Sequence, residues 1–555
     1  MIKIKGKAVS GGIAIGKIMF LKKNEIEIEA KHSENERQEL DRYRQAVEKA
    51  VLELNTMIAE AKANGREDAA EIFEIHQMML FDKEYVTEIE EMITKEKWIS
   101  EYAVEETSKK FSQAFLSMDS EYMRGRAADV MDVSDRIIRL LSGGIEEDDR
   151  IGLDKEKIIL CADDLTPSET VRLDKNKVVA FATKGGTAQS HTAIIAGTMN
   201  LPAIIALGND LSEEYDGMTA VADGVGGYLY VNPPLEFLED AKERCRKEKL
   251  KRERLRQLKG MKNITEDGRE IMVYANIGTP TDVDEVLDND GGGIGLFRSE
   301  FLYLKCKNFP TEEEQFNAYK SVLKKMGDKR VIIRTMDIGA DKQIDYFGLD
   351  IEENPALGYR AIRICLTRRE IFKTQLKALF RASAFGKLGI MIPMVISLEE
   401  VLETKKIIEE VKAELKYNKI EFDEKTEFGI MIETPAAVMI SDDLAKEVDF
   451  FSIGTNDLTQ YSLAIDRQNP QVEAYYNPRH KALMRMIHKT VENAHKEGIW
   501  CGVCGELAAN LDMTEQLLAM GVDEFSVSPP HILSLREKIR SVNIKKITKS
   551  NLDIL

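Results

Sequence analysis

His191 is the first residue to weigh for chemistry. It lies in Lys184-Gly185-Gly186-Thr187-Ala188-Gln189-Ser190-His191-Thr192-Ala193-Ile194-Ile195-Ala196, and with only seven histidines in 555 residues the placement of each carries information. The apolar run Val178-Val179-Ala180-Phe181-Ala182 before it reads as a strand, and the small residues that follow read as a turn opening an apolar helix. Free backbone N–H groups and the macrodipole at a helix N-terminus attract anions. Imidazole is a nucleophile near neutral pH, so a histidine here can carry a transferred phosphoryl group; a capping or core histidine accounts for the same residue.

A second set lies far along the chain. Arg298, Arg334, Asp337, Glu433, Asn456, Asp457, Arg467 and Cys504 each close or follow a strand-like apolar run. Arginine forks recognise phosphate and carboxylate bidentately. Two carboxylates suit Mg2+ shared with a phosphorylated substrate better than they suit a full protein cage. A small phosphate that also bears a carboxylate fits this set, and phosphoenolpyruvate is such a compound. Loss of its phosphoryl group leaves an enolate, whose charge Mg2+ and arginines stabilise. The enolate must then gain a proton at carbon, and Cys504 is the candidate acid. Each residue alone has a plain structural reading, as an ion pair or, for Cys504, a small core side chain; three arginines and two acids converging on one rim do not.

The elements that must position these residues follow from texture. Residues 262–540 carry eight apolar cores, Ile271–Asn276, Gly293–Phe297, Val331–Thr335, Gly389–Pro393, Phe428–Ile432, Phe450–Gly454, Trp500–Cys504 and Val522–Val527, with helical patterns between most of them. That spacing indicates a (β/α)8 barrel, whose chemistry sits at the C-terminal ends of the strands. Residues 1–20 are rich in glycine and β-branched residues, and strand-and-helix texture resumes at Lys157-Ile158-Ile159-Leu160-Cys161. Between them glycine nearly vanishes and apolar residues recur at helical spacing, as in Ile72, Ile75, His76, Met79 and Leu80, with cuts at Asp82 and Ser117-Met118-Asp119. The expected organisation is an α/β domain of residues 1–20 and 150–231, a helical domain inserted at 21–149, a charged linker helix within 232–261 after Asn232-Pro233-Pro234, and the barrel at 262–555.

Composition narrows the class. A net charge of −18 argues against general nucleic-acid binding and against an anionic membrane surface. No apolar run reaches the roughly 20 residues of a membrane span, and the alternating Met1-Ile2-Lys3-Ile4-Lys5-Gly6 has no signal-peptide core, so a cytoplasmic protein without membrane insertion is expected. Six cysteines are no disulfide framework in so long a chain. Cys501-Gly502-Val503-Cys504 lacks two further zinc ligands nearby, and a redox role for it is the weaker alternative.

Several stretches are similar to signatures of PEP-utilising enzymes. They are Gly293-Ile294-Gly295-Leu296-Phe297-Arg298-Ser299-Glu300-Phe301-Leu302, Ile333-Arg334-Thr335-Met336-Asp337-Ile338-Gly339-Ala340-Asp341-Lys342, Glu353-Asn354-Pro355-Ala356-Leu357-Gly358-Tyr359-Arg360, Gly429-Ile430-Met431-Ile432-Glu433-Thr434-Pro435, Phe451-Ser452-Ile453-Gly454-Thr455-Asn456-Asp457-Leu458-Thr459-Gln460-Tyr461 and Cys504-Gly505-Glu506-Leu507-Ala508. From about residue 4 to 540 the chain resembles the enzyme I family of the bacterial phosphotransferase system, and Arg126-Ala127-Ala128-Asp129-Val130-Met131-Asp132-Val133-Ser134-Asp135-Arg136 resembles that family's carrier-binding domain. The resemblance implies a swivelling phosphohistidine domain, an inserted domain that docks an HPr-like phosphocarrier, and a PEP-binding barrel that forms a homodimer. It implies His191 as the phosphorylated residue and Thr170 as the threonine that orients it. Arg298, Arg334 and Arg467 would clamp PEP with Asn456 and Asp457 in contact, Lys342 and Arg360 would support them, Glu433 and Asp457 would hold Mg2+, and Cys504 would protonate the enolate.

The chain departs from the family around its histidine. The usual Gly-Gly-Arg-Thr-Ser-His is here Gly186-Thr187-Ala188-Gln189-Ser190-His191, Gly197 stands where a second arginine is usual, and the chain stops about one helix before the family's usual end. Arginines beside a phosphohistidine neutralise its charge and steer docking, so a specialised or regulatory paralogue, sensing PEP with a non-standard carrier, is one alternative. A PEP synthase or pyruvate phosphate dikinase is another; it calls for a large ATP-binding domain ahead of the histidine domain, where about 20 residues precede the helical block. A lyase acting on a pyruvate enolate in the barrel alone leaves His191 unexplained. Because His191 must meet the phosphorus in one pose and a carrier in another, rigid-body swivelling about Asn232-Pro233-Pro234 is expected.

Overall fold

The computed structural model describes residues 1–21, 28–63, 67–117, 121–143, 156–163, 165, 177–186, 196, 201–304, 306, 308–342, 344–467, 469 and 471–547. They form two compact units, Met1–Lys251 and Arg252–Leu555.

The first unit contains an eight-stranded sheet. β1 (Ile2–Lys5), β2 (Lys7–Ser10) and β3 (Ile13–Phe20) precede five helices, and β4 (Ile158–Ala162), β5 (Val178–Thr183), β6 (Ala203–Ile205), β7 (Thr219–Asp223) and β8 (Tyr228–Val231) follow them. The order across the sheet is β1-β8-β7-β3-β4-β5-β6-β2, with β3 through β6 parallel and the remaining pairs antiparallel. A parallel strand covered on both faces reads as an unbroken apolar run, and β4, Ile-Ile-Leu-Cys-Ala, is buried at every position. Its alternate side chains feed two cores: Ile159 and Cys161 join Ala180, Ala182 and Leu229, whereas Leu160 and Ala162 join Val178 and Phe181. β6 has no counterpart in the sequence reading, because three residues between Pro202 and Ala206 show no period.

The helices are α1 (Glu36–Ala63), α2 (Glu67–Met79), α3 (Lys83–Thr94), α4 (Ser100–Leu116) and α5 (Glu121–Leu141). Tyr43, Leu54, Phe73, Ile89, Val104 and Ile137 lie at the centre of their shared core. Asp82 ends the run before α3 as a cap, its carboxylate accepting from the Glu84 and Tyr85 N–H groups. The turn between α3 and α4 places Lys97 at φ 64°, a left-handed corner made without glycine or proline and so without a sequence signal. A charged helix, α6 (Leu235–Arg256), follows β8. Among the described residues no helix is long and apolar enough to cross a membrane.

The second unit is a closed barrel of eight parallel strands. They are β9 (Met272–Ile277), β10 (Ile294–Arg298), β11 (Val331–Arg334), β12 (Leu388–Ile392), β13 (Glu427–Ile432), β14 (Phe450–Gly454), β15 (Trp500–Cys504) and β16 (Glu524–Val527), which returns to β9. Each coincides within two residues with one of the eight apolar cores read from the sequence. Alternation sets two shells. Phe451, Ile453, Cys501, Val503 and Phe525 pack outward in the core shared with the helices, while Leu296, Ile332, Met391, Met431, Phe450 and Cys504 meet inside. The chain is therefore an α/β unit carrying an inserted helical block, followed by a (β/α)8 barrel.

Candidate active site

A parallel closed barrel brings every strand C-terminus to one rim. Arg298 ends β10, Arg334 ends β11, Glu433 follows β13 directly, and Cys504 ends β15. Asn456 and Asp457 lie in the first turn of the helix Thr455–Leu463 that opens straight off β14. Its Thr455 hydroxyl donates to the Cys504 carbonyl at 3.0 Å, which pins that helix to the end of the next strand. Gly505 follows at φ 100°, and a Cβ there would meet Thr455 Oγ1 at 2.6 Å, so only glycine lets the chain leave β15 this close to the helix.

Arg334 is buried between two acids, with Nη2 3.0 Å from Glu300 Oε1 and Nη1 3.1 Å from Asp337 Oδ2. Glu300 Oε1 also accepts the Asp337 N–H at 3.0 Å. Arg360 reaches the other side of Asp337, Nη2 lying 2.7 Å from Oδ1. Burial opposes ionisation of Asp337, but Arg334 and Arg360 outweigh it and hold its carboxyl below the usual range. Arg467 Nη2 stands 3.4 Å from Asp457 Oδ1. Lys342 lies on the loop after β11, its Nζ 3.3 Å from Asp341 Oδ2. Arg298 is exposed at the rim and has no carboxylate in ion-pair contact among the described residues, which leaves its fork open to a ligand.

Glu433 is fully buried. One oxygen accepts the Met394 N–H at 2.7 Å, and the other, Oε2, has no partner. Burial, then the carboxylates of Asp457 and Asp337, push its pKa up to about 8. Among the described residues no three ligand-type side chains gather closely enough to hold a metal by themselves. An orphaned buried carboxylate oxygen close to a second acid is the donor set of a cation that draws its remaining ligands from substrate and water. Cys504 is buried, its thiol donating to the Ile453 carbonyl at 3.5 Å, and burial pushes its pKa up to about 12, so it keeps a proton to give. Cys501 faces the outer core and Cys504 the barrel interior; the two cannot share a metal or a disulfide.

The structure thus brings Arg298, Arg334, Arg360, Glu433, Asn456, Asp457, Arg467 and Cys504 to one end of the barrel, with Lys342 on an adjoining loop. His191 and Thr170 lie outside the described residues. Of their surroundings, β5 leads toward the histidine loop, and Lys184 pairs with Asp163 at 2.7 Å. Sequence reasoning gave no role to Glu300. Its one signal was position, two residues past Arg298 in a strand-end motif where a buried acid needs a cation.

Residues 252–544 match the PEP-binding domain of PEP-utilising enzymes, residues 5–126 their N-terminal domain, and residues 154–227 their mobile domain. The chain is 41% identical over 542 residues to a phosphoenolpyruvate-protein phosphotransferase of Priestia megaterium, covering 98% of this chain and 94% of that one. It is 40% identical over 543 residues to the protein of the same name from Bacillus subtilis (strain 168), covering 98% and 95%. A solution structure of an enzyme I protein shares 33% identity at a TM-score of 0.38, covering 44% of this chain and 99% of that one.

Proposed function

The chain belongs to the PEP-utilising enzyme family, and on that premise we propose that it moves the phosphoryl group of phosphoenolpyruvate onto a histidine of its own and then to a phosphocarrier protein, releasing pyruvate as the first step of a sugar phosphotransferase system. One observation carries the assignment: an arginine fork buried between two acids stands at the same rim as an unpartnered Glu433 oxygen and a protonated thiol.

In this reading Arg298 and Arg467 take the phosphate and carboxylate of PEP, while Arg334, already fixed by Glu300 and Asp337, supplies a fork that does not reorganise during the reaction. Asn456 and Asp457 contact the substrate from the rim helix, and Arg360 and Lys342 keep the far wall positive. Glu433 and Asp457 would hold Mg2+, which offsets charge on the phosphate and on the departing enolate. Cys504 gives its proton to the enolate carbon. His191 receives the phosphoryl group in line, with Thr170 orienting it. The acceptor is an HPr-like carrier that docks on the helical block; Met78 lines a cavity of about 300 Å3 there with Ile75, Met79, Tyr85, Phe111 and Phe115, and Phe81 is also exposed. We further propose a cytoplasmic homodimer formed through the barrel.

Incubation with radiolabelled PEP and Mg2+ tests the assignment. The expected product is protein carrying acid-labile, base-stable label, absent from His191→Ala. Wild-type protein that takes no label at any PEP concentration overturns it.

A further inference from the structure

The interior of the barrel holds an acid for which the chemistry above has no use. In the sheet register Ser452 stands beside Gly502 and Gly502 beside Glu524, so these three share one inward-facing layer; Gly454, Cys504 and Ser526 form the layer nearer the rim. Such layers are ordinarily filled by branched apolar side chains. Here two glycines clear the space. A Cβ on Gly502 would lie 2.1 Å from Glu524 Oε2, and one on Gly295 would lie 2.5 Å from Oε1. The carboxyl group therefore reaches over Gly502 toward Ser452, beneath the Cys504 thiol.

Glu524 is 1% exposed. Burial pushes its carboxyl well above the ordinary range, against only Arg330 and Ser526, which favours its protonated form. The Ser452 hydroxyl lies against the Cys504 thiol. Ser452 Oγ is buried without a hydrogen-bond partner and so is able to give or accept one, and the carboxyl oxygen on its side, over Gly502, is Glu524 Oε2. Below them Tyr274 and the Arg330–Glu427 pair lead toward the N-terminal mouth, where those two side chains are 28% and 29% exposed.

We propose that Glu524 is the internal acid that reloads Cys504 after each turnover, passing its proton through Ser452. The inference rests on the reading of Cys504 as proton donor. When the enolate carbon takes the thiol proton, a C–H bond forms and the S–H electron pair stays on sulfur. Ser452 Oγ–H then protonates Sγ while Oγ accepts the proton of the Glu524 carboxyl. The carboxylate regains a proton from solvent water at the N-terminal mouth, so one solvent proton enters for each pyruvate formed. Glu524 is a positioning and relay residue, since it touches no substrate.

The test uses the whole protein with PEP, carbon-labelled pyruvate and Mg2+ in D2O, and reads two rates. Passage of carbon label from pyruvate into PEP can proceed with one proton shuttling between Cys504 and carbon; entry of deuterium into the pyruvate methyl requires that proton to exchange with solvent. In Glu524→Gln the ratio of deuterium entry to carbon exchange should fall by about 10- to 100-fold. A merely structural change would move both rates together, and an unchanged ratio overturns the relay. If Glu524→Gln does not fold, Ser452→Ala decides by the same ratio. Cys504→Ala separates the two ideas: deuterium entry at the wild-type rate in that variant overturns the role of Cys504 itself.

Discussion

Two regions of the barrel hide acids from water in opposite ways. At the rim Asp337 is flanked by Arg334 and Arg360 and stays ionised. One layer inside, Glu524 has two glycines and two serines around it, and burial favours its protonated form. Glu433 lies between these cases, its pKa pushed up to about 8 by burial and by the carboxylates of Asp457 and Asp337. A buried carboxyl is therefore an anchor for a cation, a proton store, or a vacant ligand according to its neighbours alone. The rim acid is matched by cations, and the interior acid is set apart from them.

The contrast is broken most forcibly at Arg334. Arg334→Ala leaves Glu300 without its cation and Asp337 with Arg360 alone. A loss of about 3–5 kcal/mol of stability is expected, with PEP-dependent labelling lowered by about 100-fold or more. A melting temperature equal to wild type would show that the acids never relied on it.

The next effect is a pH dependence at Glu433. The folded protein holds a proton between the ordinary value of 4.5 and about 8 that the unfolded chain releases, so without divalent cation stability should fall as pH rises through that window. The fall between pH 5 and pH 8 should reach roughly 3–4 kcal/mol, be absent in Glu433→Gln, and be relieved in wild type by added Mg2+; denaturant melts at pH 5 and pH 8 read all three. Equal slopes in the two proteins would mean that this carboxyl does not hold the extra proton in the folded protein. Removal of divalent cation should also reduce labelling from PEP to background.

Gly502→Ala sharpens the inner half of the comparison. Its methyl must displace the Glu524 carboxyl from 2.1 Å, at a cost of about 1–3 kcal/mol. Thermal melting checks this, and no loss would mean that the layer has room to spare. The smallest effect is expected from Glu300→Gln, which retains a hydrogen bond to Arg334 but not its charge. KM for PEP should rise by about tenfold, equivalent to ~1.4 kcal/mol, with kcat nearly unchanged. A drop in kcat alone would place Glu300 in the chemical step.

These acids also mark where reading the sequence stops. The eight strands were legible because fully buried parallel strands leave unbroken apolar runs, and the rim residues because they follow those runs directly. Glu524 looks like a surface residue beside Asp523. Only closure of the barrel fixes the phase that turns Phe525 outward and Glu524 inward. Glu300 was hidden for a related reason: its meaning depends on Arg334, 34 positions away and on the neighbouring strand. The turn at Lys97 and the three residues of β6 carry no local period at all. His191 is the converse case, a residue whose sequence speaks and whose surroundings lie outside the described residues.

The bond from Thr455 to the Cys504 carbonyl has a mechanical consequence. It splices the start of the rim helix to the end of the neighbouring strand, so Asn456, Asp457 and the thiol translate as one stiff block. Arg467 lies beyond the end of that helix and is joined to the block through Asp457. A force on the outer loop can thus move Arg467 without altering the spacing between the Cys504 thiol and the Asp457 carboxylate.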